Sequence, residues 1–267
     1  MPELPEVETI ARNLRPQLVG RTIISAQVLW PRTIETPSAQ QFPEMITGQE
    51  ILDVRRRAKY LHVVLFTYHL FIHLRMSGDL TTKPADTDPQ KHDRLLLFLS
   101  DNRQLAFNDT RKFGRAWLTT HPEDVIGHLG PEPFDPAFTP DVLFQKLREK
   151  NRQIKPLLLD QGFLAGLGNI YTDESLHLSR IHPLRLSGTI TKEETLRLFD
   201  AIRVVLQTGI DHNGASIDWV YRGGGFQNHF RAYDRTGQPC PACGTPIQRT
   251  IVGQRGTHFC PNCQKYR

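Results

Sequence analysis

Cysteine is scarce in this 267-residue chain: there are four, all within the last 28 positions. The preceding stretch therefore has no disulfides to staple it and must rely on a buried core. No run of about 18 apolar residues occurs, so no membrane-spanning helix is expected. The opening MPELPEVETIARNL carries glutamates early and lacks the apolar centre of a signal peptide, so a cytoplasmic protein is expected. Internal repeats and low-complexity tracts are also missing. Acidic residues disappear from one region: Arg235 to Arg267 holds five Arg/Lys and no Asp or Glu. Over the whole chain 33 Lys and Arg stand against 28 Asp and Glu, giving a net charge of +5. That excess favours a polyanionic partner over an acidic one, although a merely basic protein would show it too.

What is present divides the chain into an α+β protein of about two ordinary domains and a terminal appendage. Residues 3–19 read as an amphipathic helix with Val7, Ile10, Ala11, Leu14 and Leu18 on one face and Gly20 as its stop. The chain is then β-rich to about residue 118, with alternation at Leu61, Val63 and Leu65 and again at Leu70, Ile72 and Leu74. Strands around 95–99 and 105–107 flank a turn at Asp101-Asn102, and 83–92 reads as a polar loop. An antiparallel β-sandwich carrying the first helix is expected, ending at a proline-marked linker (Pro131, Pro133, Pro136, Pro140). Beyond it the period becomes helical over 140–150, 155–161, 170–178 and 192–208, with Thr191 and Glu194 as a capping box for the last. Residues 225–267 read as short strands around the cysteines. The expected division is 1–133, 134–224 and 225–267.

Cys240-x2-Cys243 and Cys260-x2-Cys263 each fit a tight knuckle, and together they offer four thiolates to one tetrahedral Zn2+. All four positions would be filled by protein, so this zinc is expected to be structural, supplying folding energy to a segment too short for its own core. Many zinc ribbons share that pattern, so it points to a binding mode and not to an activity. The amino terminus offers chemistry. The small residue at position 2 favours removal of Met1, and Pro2 would then carry a secondary amine. An α-amino group titrates near 8, so a useful fraction is nucleophilic at neutral pH. Attack on a sugar C1′ would give an iminium, an electron sink that acidifies the neighbouring C2′ proton. Glu3 and Glu6 sit beside it, one suited to general acid/base work and the other to orienting the amine. Proline followed by glutamate is also ordinary helix-start chemistry, and the motif alone leaves both readings open.

Read together, PELPEVET, RRAKYL (56–61), HLRMSG (73–78), KHD (91–93), DTRKFG (109–114), LGPEPF (129–134), KPLLLDQGFLAGLGNIYTDESL (155–176) and the four-cysteine finger resemble bacterial formamidopyrimidine-DNA glycosylases along nearly the whole chain. Leu4 separates it from endonuclease VIII, which usually opens PEGPE. The resemblance implies a β-sandwich, a helix–two-turn–helix domain and a β-hairpin zinc finger. It also implies a monomeric base-excision repair enzyme that binds double-stranded DNA, removes 8-oxoguanine and formamidopyrimidines and cleaves the abasic site by β,δ-elimination. No redox cofactor is implied. Pro2 matches the Schiff-base nucleophile, Glu3 the proton donor that opens the sugar, Lys59 the lysine assisting β-elimination, and Arg255 the finger arginine tied to δ-elimination. His92, Arg111, Lys150, Lys155 and Asn169 match DNA-binding positions. Met76, Arg111 and Phe113 match the residues that fill the void left by an everted nucleotide. Ser216, Gly223, Gly224 and Gly225 fall in the glycine-rich loop that covers the lesion, where Asp218 and Trp219 depart from the usual pattern.

Overall fold

The computed structural model describes residues 1–216 and 223–266, and the chain forms two compact units. The first comprises Met1–His128 with Asn213–Gly224, and the second Leu129–His212 with Gly225–Arg267. Asp218 and Trp219 lie outside the described residues.

The first unit starts with helix α1 (Leu4–Leu18), capped by Glu3 and followed by Gly20 at φ 76°. The strands are β1 (Ile23–Val28), β2 (Ile34–Thr36), then after the short helix α2 (Phe42–Ile46) β3 (Ile51–Arg57), β4 (Tyr60–Leu65), β5 (His69–His73), β6 (Gly78–Pro84), β7 (Asp93–Leu99), β8 (Arg103–Asp109) and β9 (Arg115–Thr119), followed by the single turn α3 (Glu123–Ile126). They form two sheets, β1-β7-β8-β6 and β2-β9-β5-β4-β3. All pairs are antiparallel except β2–β9, which is parallel. The expected alternation holds: Leu61, Val63, Leu65, Leu70 and Ile72 of one sheet and Leu95, Leu97, Leu99, Leu105 and Phe107 of the other enter one core, with the apolar face of α1 beside them. Each such side chain contributes about 1.5–3 kcal/mol when buried. The loop expected at 83–92 begins later, because Lys83 and Pro84 extend β6 in register with Gln104 and Arg103.

The second unit contains α4 (Pro140–Arg148), α5 (Ile154–Leu159), α6 (Asn169–Leu178), α7 (Lys192–Asp211) and a hairpin of β10 (Gln248–Val252) and β11 (Arg255–Phe259). Helix α7 starts at the anticipated capping box: Thr191 Oγ1 accepts from the Glu194 N–H, and the Glu194 carboxylate accepts from the Thr191 N–H. It runs three residues past the expected end. Two acids on α6 hold the finger segment. Buried Glu174 accepts from the N–H groups of Arg231, Ala232 and Tyr233, and Asp173 accepts from the N–H of His258 at 2.8 Å. Those bonds explain why 225–266 groups with the helices, although the sequence sets it apart. Among the described residues no helix is long and apolar enough to cross a membrane.

Candidate active site and nucleic-acid interface

The start of α1 is a buried carboxylate pair. Glu3 and Glu6 are each 2% exposed. The Glu3 N–H donates to Glu6 Oε2 at 2.8 Å, and the N–H of Ala215 donates to Glu6 Oε1 at 2.7 Å. Both Glu6 oxygens thus accept from backbone amides. Gly214 lies against this group at φ 78°, and a Cβ there would fall 2.6 Å from Glu6 Oε1. The expectation that one glutamate works on protons while the other orients is thereby given a direction: Glu6 has the geometry of the anchor. Pro2, next to Glu3 in the chain, is buried too.

Lys59 is 5% exposed and sits in the two-residue turn that closes β3–β4, where Arg57 pairs with Tyr60. Ala58 before it has φ 51°, a strained conformation for a residue with a Cβ, of the kind that persists where surrounding structure fixes it. His73 of β5 pairs with Tyr60, its ring edge-on at 4.8 Å, and its Nδ1 accepts from the Arg75 N–H at 3.0 Å. Burial, then the cations of Arg75 and Lys59, push the His73 pKa down to about 3, so the imidazole is neutral at physiological pH. The arginines before Lys59 are not a plain solvated face. Arg56 donates to Glu8 at 2.8 Å and to the Ala58 carbonyl at 3.2 Å. Burial opposes ionisation of Glu8, but Arg56 and Arg12 outweigh it and hold its pKa below the usual value.

Met76 and Phe113 are 38% and 47% exposed, so neither belongs to the core. They stand on the turns before β6 and after β8. Arg111 lies 4.9 Å from the centre of the Phe113 ring, and Lys112 rests 4.1 Å over the Trp30 ring. A flexible thioether, a flat ring and a guanidinium on short turns can enter a base stack and meet an orphaned base. His92 is half-buried with Nδ1 3.2 Å from the Arg94 guanidinium. Ser216 Oγ accepts from the N–H of Gly224 at 2.8 Å. A Cβ on Gly224 would meet the Gly214 carbonyl at 2.4 Å, which only glycine avoids.

In the second unit Asn169 opens α6, and its Nδ2 donates to the Gly256 carbonyl at 3.0 Å. Its buried Oδ1 has no hydrogen-bond partner among the described residues. Lys150 and Arg255 are exposed, and Arg255 follows the Gly253-Gln254 turn, where both residues have positive φ as in a type I′ hairpin. Lys155, which matches a DNA-binding position, lies inside the fold. Its side chain is fully buried, with Nζ 2.6 Å from Asp173 and 3.0 Å from the Gly256 carbonyl. Nζ thereby ties Asp173 of α6 to the Gly256 carbonyl of β11, which Asn169 Nδ2 also reaches. Sequence reasoning assigned no role to Asp173, Arg94 or His73. The available clue was that His73 and Asp173 lie inside the motifs and Arg94 directly follows one.

The four cysteine sulfurs lie within 4.8 Å of one another, with Cys240–Cys263 at 3.9 Å and Cys243–Cys260 at 3.5 Å. Tetrahedral zinc with Zn–S bonds of about 2.3 Å holds its sulfurs about 3.8 Å apart, so the residues fit one structural Zn2+. Backbone N–H groups of Ala242 and Cys263 point at Cys240 and Cys260 sulfurs at 3.4 Å, and His177 Nε2 lies 3.3 Å from Cys240 Sγ, a second support for the knuckle.

Comparison with known proteins gives a consistent picture. Residues 1–116 match the formamidopyrimidine-DNA glycosylase N-terminal domain, 129–220 its H2TH domain, and 237–265 the zinc finger found in FPG and IleRS. The chain is 45% identical to a formamidopyrimidine-DNA glycosylase of Herpetosiphon aurantiacus, covering 99% of this chain and 100% of that one. It is 48% identical to one of Chloroflexus aggregans, covering 99% and 98%. Among solved structures, a Lactococcus lactis FPG mutant with Fapy-dG-containing DNA superposes with a TM-score of 0.93 at 38% identity, covering 99% of this chain and 100% of that one. MutM with DNA containing carbocyclic 8-oxo-G gives 0.93 at 39% identity, with the same coverage.

Proposed function

The chain belongs to the formamidopyrimidine-DNA glycosylase family, and from that premise we propose how its own residues carry out the reaction. The protein is a base-excision repair enzyme, a DNA glycosylase and abasic-site lyase that removes oxidised purines from duplex DNA. With Met1 removed, the Pro2 amine attacks C1′, the glycosidic bond breaks, and the base leaves with a proton. Glu3, buried at the helix start, protonates the sugar oxygen as the ring opens. The resulting iminium takes the electron pair released when the C2′ proton departs, and the 3′ phosphate is expelled. A second elimination expels the 5′ phosphate. Hydrolysis of the remaining adduct restores the amine. Lys59 assists the first elimination from its strained turn, and Arg255 the second. Neutral His73 spares Lys59 a second nearby cation.

Glu6 works as the anchor that ties the amine-bearing end of α1 to the Ala215 segment, and Ser216 with Gly223–Gly225 covers the everted base. Met76, Arg111 and Phe113 fill the hole. His92, Arg111, Lys150 and Asn169 hold phosphates, with Lys155 acting through Gly256. A single chain carries every residue named, so a monomer suffices, and a reducing cytoplasm keeps the four zinc thiolates available. The observation that carries this reading is the buried Pro2–Glu3–Glu6 cluster at the start of α1. Borohydride trapping on an abasic duplex tests it. Wild-type protein should give a covalent adduct, and Pro2→Gly combined with Glu3→Gln should give almost none. An undiminished adduct from the double variant would refute the nucleophile.

A further inference from the structure

We propose that Asp109 is a positioning residue that fuses the Met76 turn and the Arg111–Phe113 turn into one rigid wedge. This rests on the reading of those residues as the void-filling group. Asp109 ends β8 and is 1% exposed. The Ser77 hydroxyl donates to its Oδ1, and Ser77 directly follows Met76. The Arg111 N–H lies 3.1 Å from both Asp109 Oδ1 and Ser77 Oγ, while the Gly114 N–H donates to Asp109 Oδ2 at 2.7 Å. One buried carboxylate therefore holds the base of the first turn and both ends of the second.

The backbone of the same residue is fixed as well. Its N–H donates to the His92 carbonyl at 2.8 Å, and its carbonyl accepts from Arg94 Nε at 2.7 Å. Packing reinforces the arrangement. A Cβ at Gly78 would fall 2.8 Å from the Phe107 ring, and one at Gly114 would fall 2.4 Å from it, so both turns lie directly on one aromatic side chain. Arg75 and Lys112, beside the tips, have φ 55° and 61°, conformations that need such surroundings to persist.

The physical argument concerns entropy and direction. A side chain that must enter a base stack loses less freedom if its backbone is already ordered. Three tips with fixed spacing can also enter together, whereas independent turns would each have to find the gap. Asp109 touches no DNA in this scheme; its donors are all protein groups. Replacing it leaves buried N–H groups without an acceptor, and the turns relax.

Asp109→Asn and Ser77→Ala test this on the full-length zinc-loaded protein. Three readouts are needed: 8-oxoguanine excision from a fully paired duplex, fluorescence of a 2-aminopurine beside the lesion as a report of unstacking, and borohydride trapping on a single-stranded abasic oligonucleotide. Excision from duplex should fall by about tenfold or more, the rate equivalent of one hydrogen bond's net worth, with a matching loss of the unstacking signal. Trapping on the single strand should fall much less, because no base pair has to open. Omitting the base opposite the lesion should restore most of the excision rate. Equal losses on all substrates would overturn the proposal, since general instability does not discriminate between them; unchanged duplex excision would overturn it too. If Asp109→Asn does not fold, Ser77→Ala decides alone by the same criteria. A wild type that neither traps nor excises would instead refute the functional reading, and this inference with it.

Discussion

Glu6→Gln separates the anchoring reading of Glu6 from a proton-transfer one. The glutamate accepts two backbone N–H groups, one on each oxygen, at 2.8 and 2.7 Å, in a site that is 2% exposed. Glutamine keeps one acceptor oxygen and turns an NH2 toward the other backbone N–H. One charge-assisted hydrogen bond is lost and one buried donor is left unsatisfied, a cost of about 2–3 kcal/mol. For a unit of this size that corresponds to a fall in melting temperature of about 6–10 °C. Gly214→Ala attacks the same contact from the other side. Its methyl would fall 2.6 Å from Glu6 Oε1, and φ 78° would add strain of about 1–2 kcal/mol. Because both changes break one contact, the double variant should be less destabilised than the sum of the two, by about 1 kcal/mol. Thermal unfolding followed by circular dichroism gives the stabilities, and borohydride trapping on single-stranded abasic DNA gives the chemistry. If Glu6 anchors, melting falls and trapping slows by about tenfold or less. If Glu6 transfers a proton, melting is nearly unchanged and trapping falls by about 100-fold or more. A Glu6→Gln protein that melts within about 2 °C of wild type would refute the argument.

Two further outcomes follow from particular groups. His73 has its pKa depressed to about 3, so the unfolded chain takes up a proton on this residue near pH 6.5 while the folded one does not. Its contribution to stability is complete above that pH and is lost as pH falls toward 3, at up to about 1.4 kcal/mol per pH unit. Comparing His73→Gln with wild type by urea unfolding between pH 7 and 4.5 should show a flatter dependence in the variant, and parallel curves would contradict the assignment. The finger has a small core of Ala232, Cys240, Ile247 and Cys260, so its order depends on metal. Chelating zinc should abolish duplex binding while the unfolding of the first unit is unchanged; retained affinity would show the finger to be dispensable.

Local pattern made much of this protein legible in its sequence. The 3.6-residue period of α1, the alternation at Leu61–Leu65 and Leu70–Leu74 and the Thr191–Glu194 box each depend on neighbours a few residues apart, and each appears as expected. The cysteine spacing defines a zinc site because two short knuckles carry most of its geometry. Other features depend on where distant segments return, and no local pattern reports that. The partner of Glu6 is 209 residues away, and the partner of Ser77 is 32 away. Nothing local to Lys155 shows that α6 brings Asp173 to it in the interior. Met76 and Phe113 are large apolar residues, and only the closed sheets show that they stand exposed. Sequence thus determined most of the elements, the zinc ligands and, through its motifs, the family. Tertiary structure alone decided which charged side chains face inward as anchors and which apolar ones stand exposed, because burial and pairing belong to the closed sheets and the packed helices rather than to any single stretch of chain.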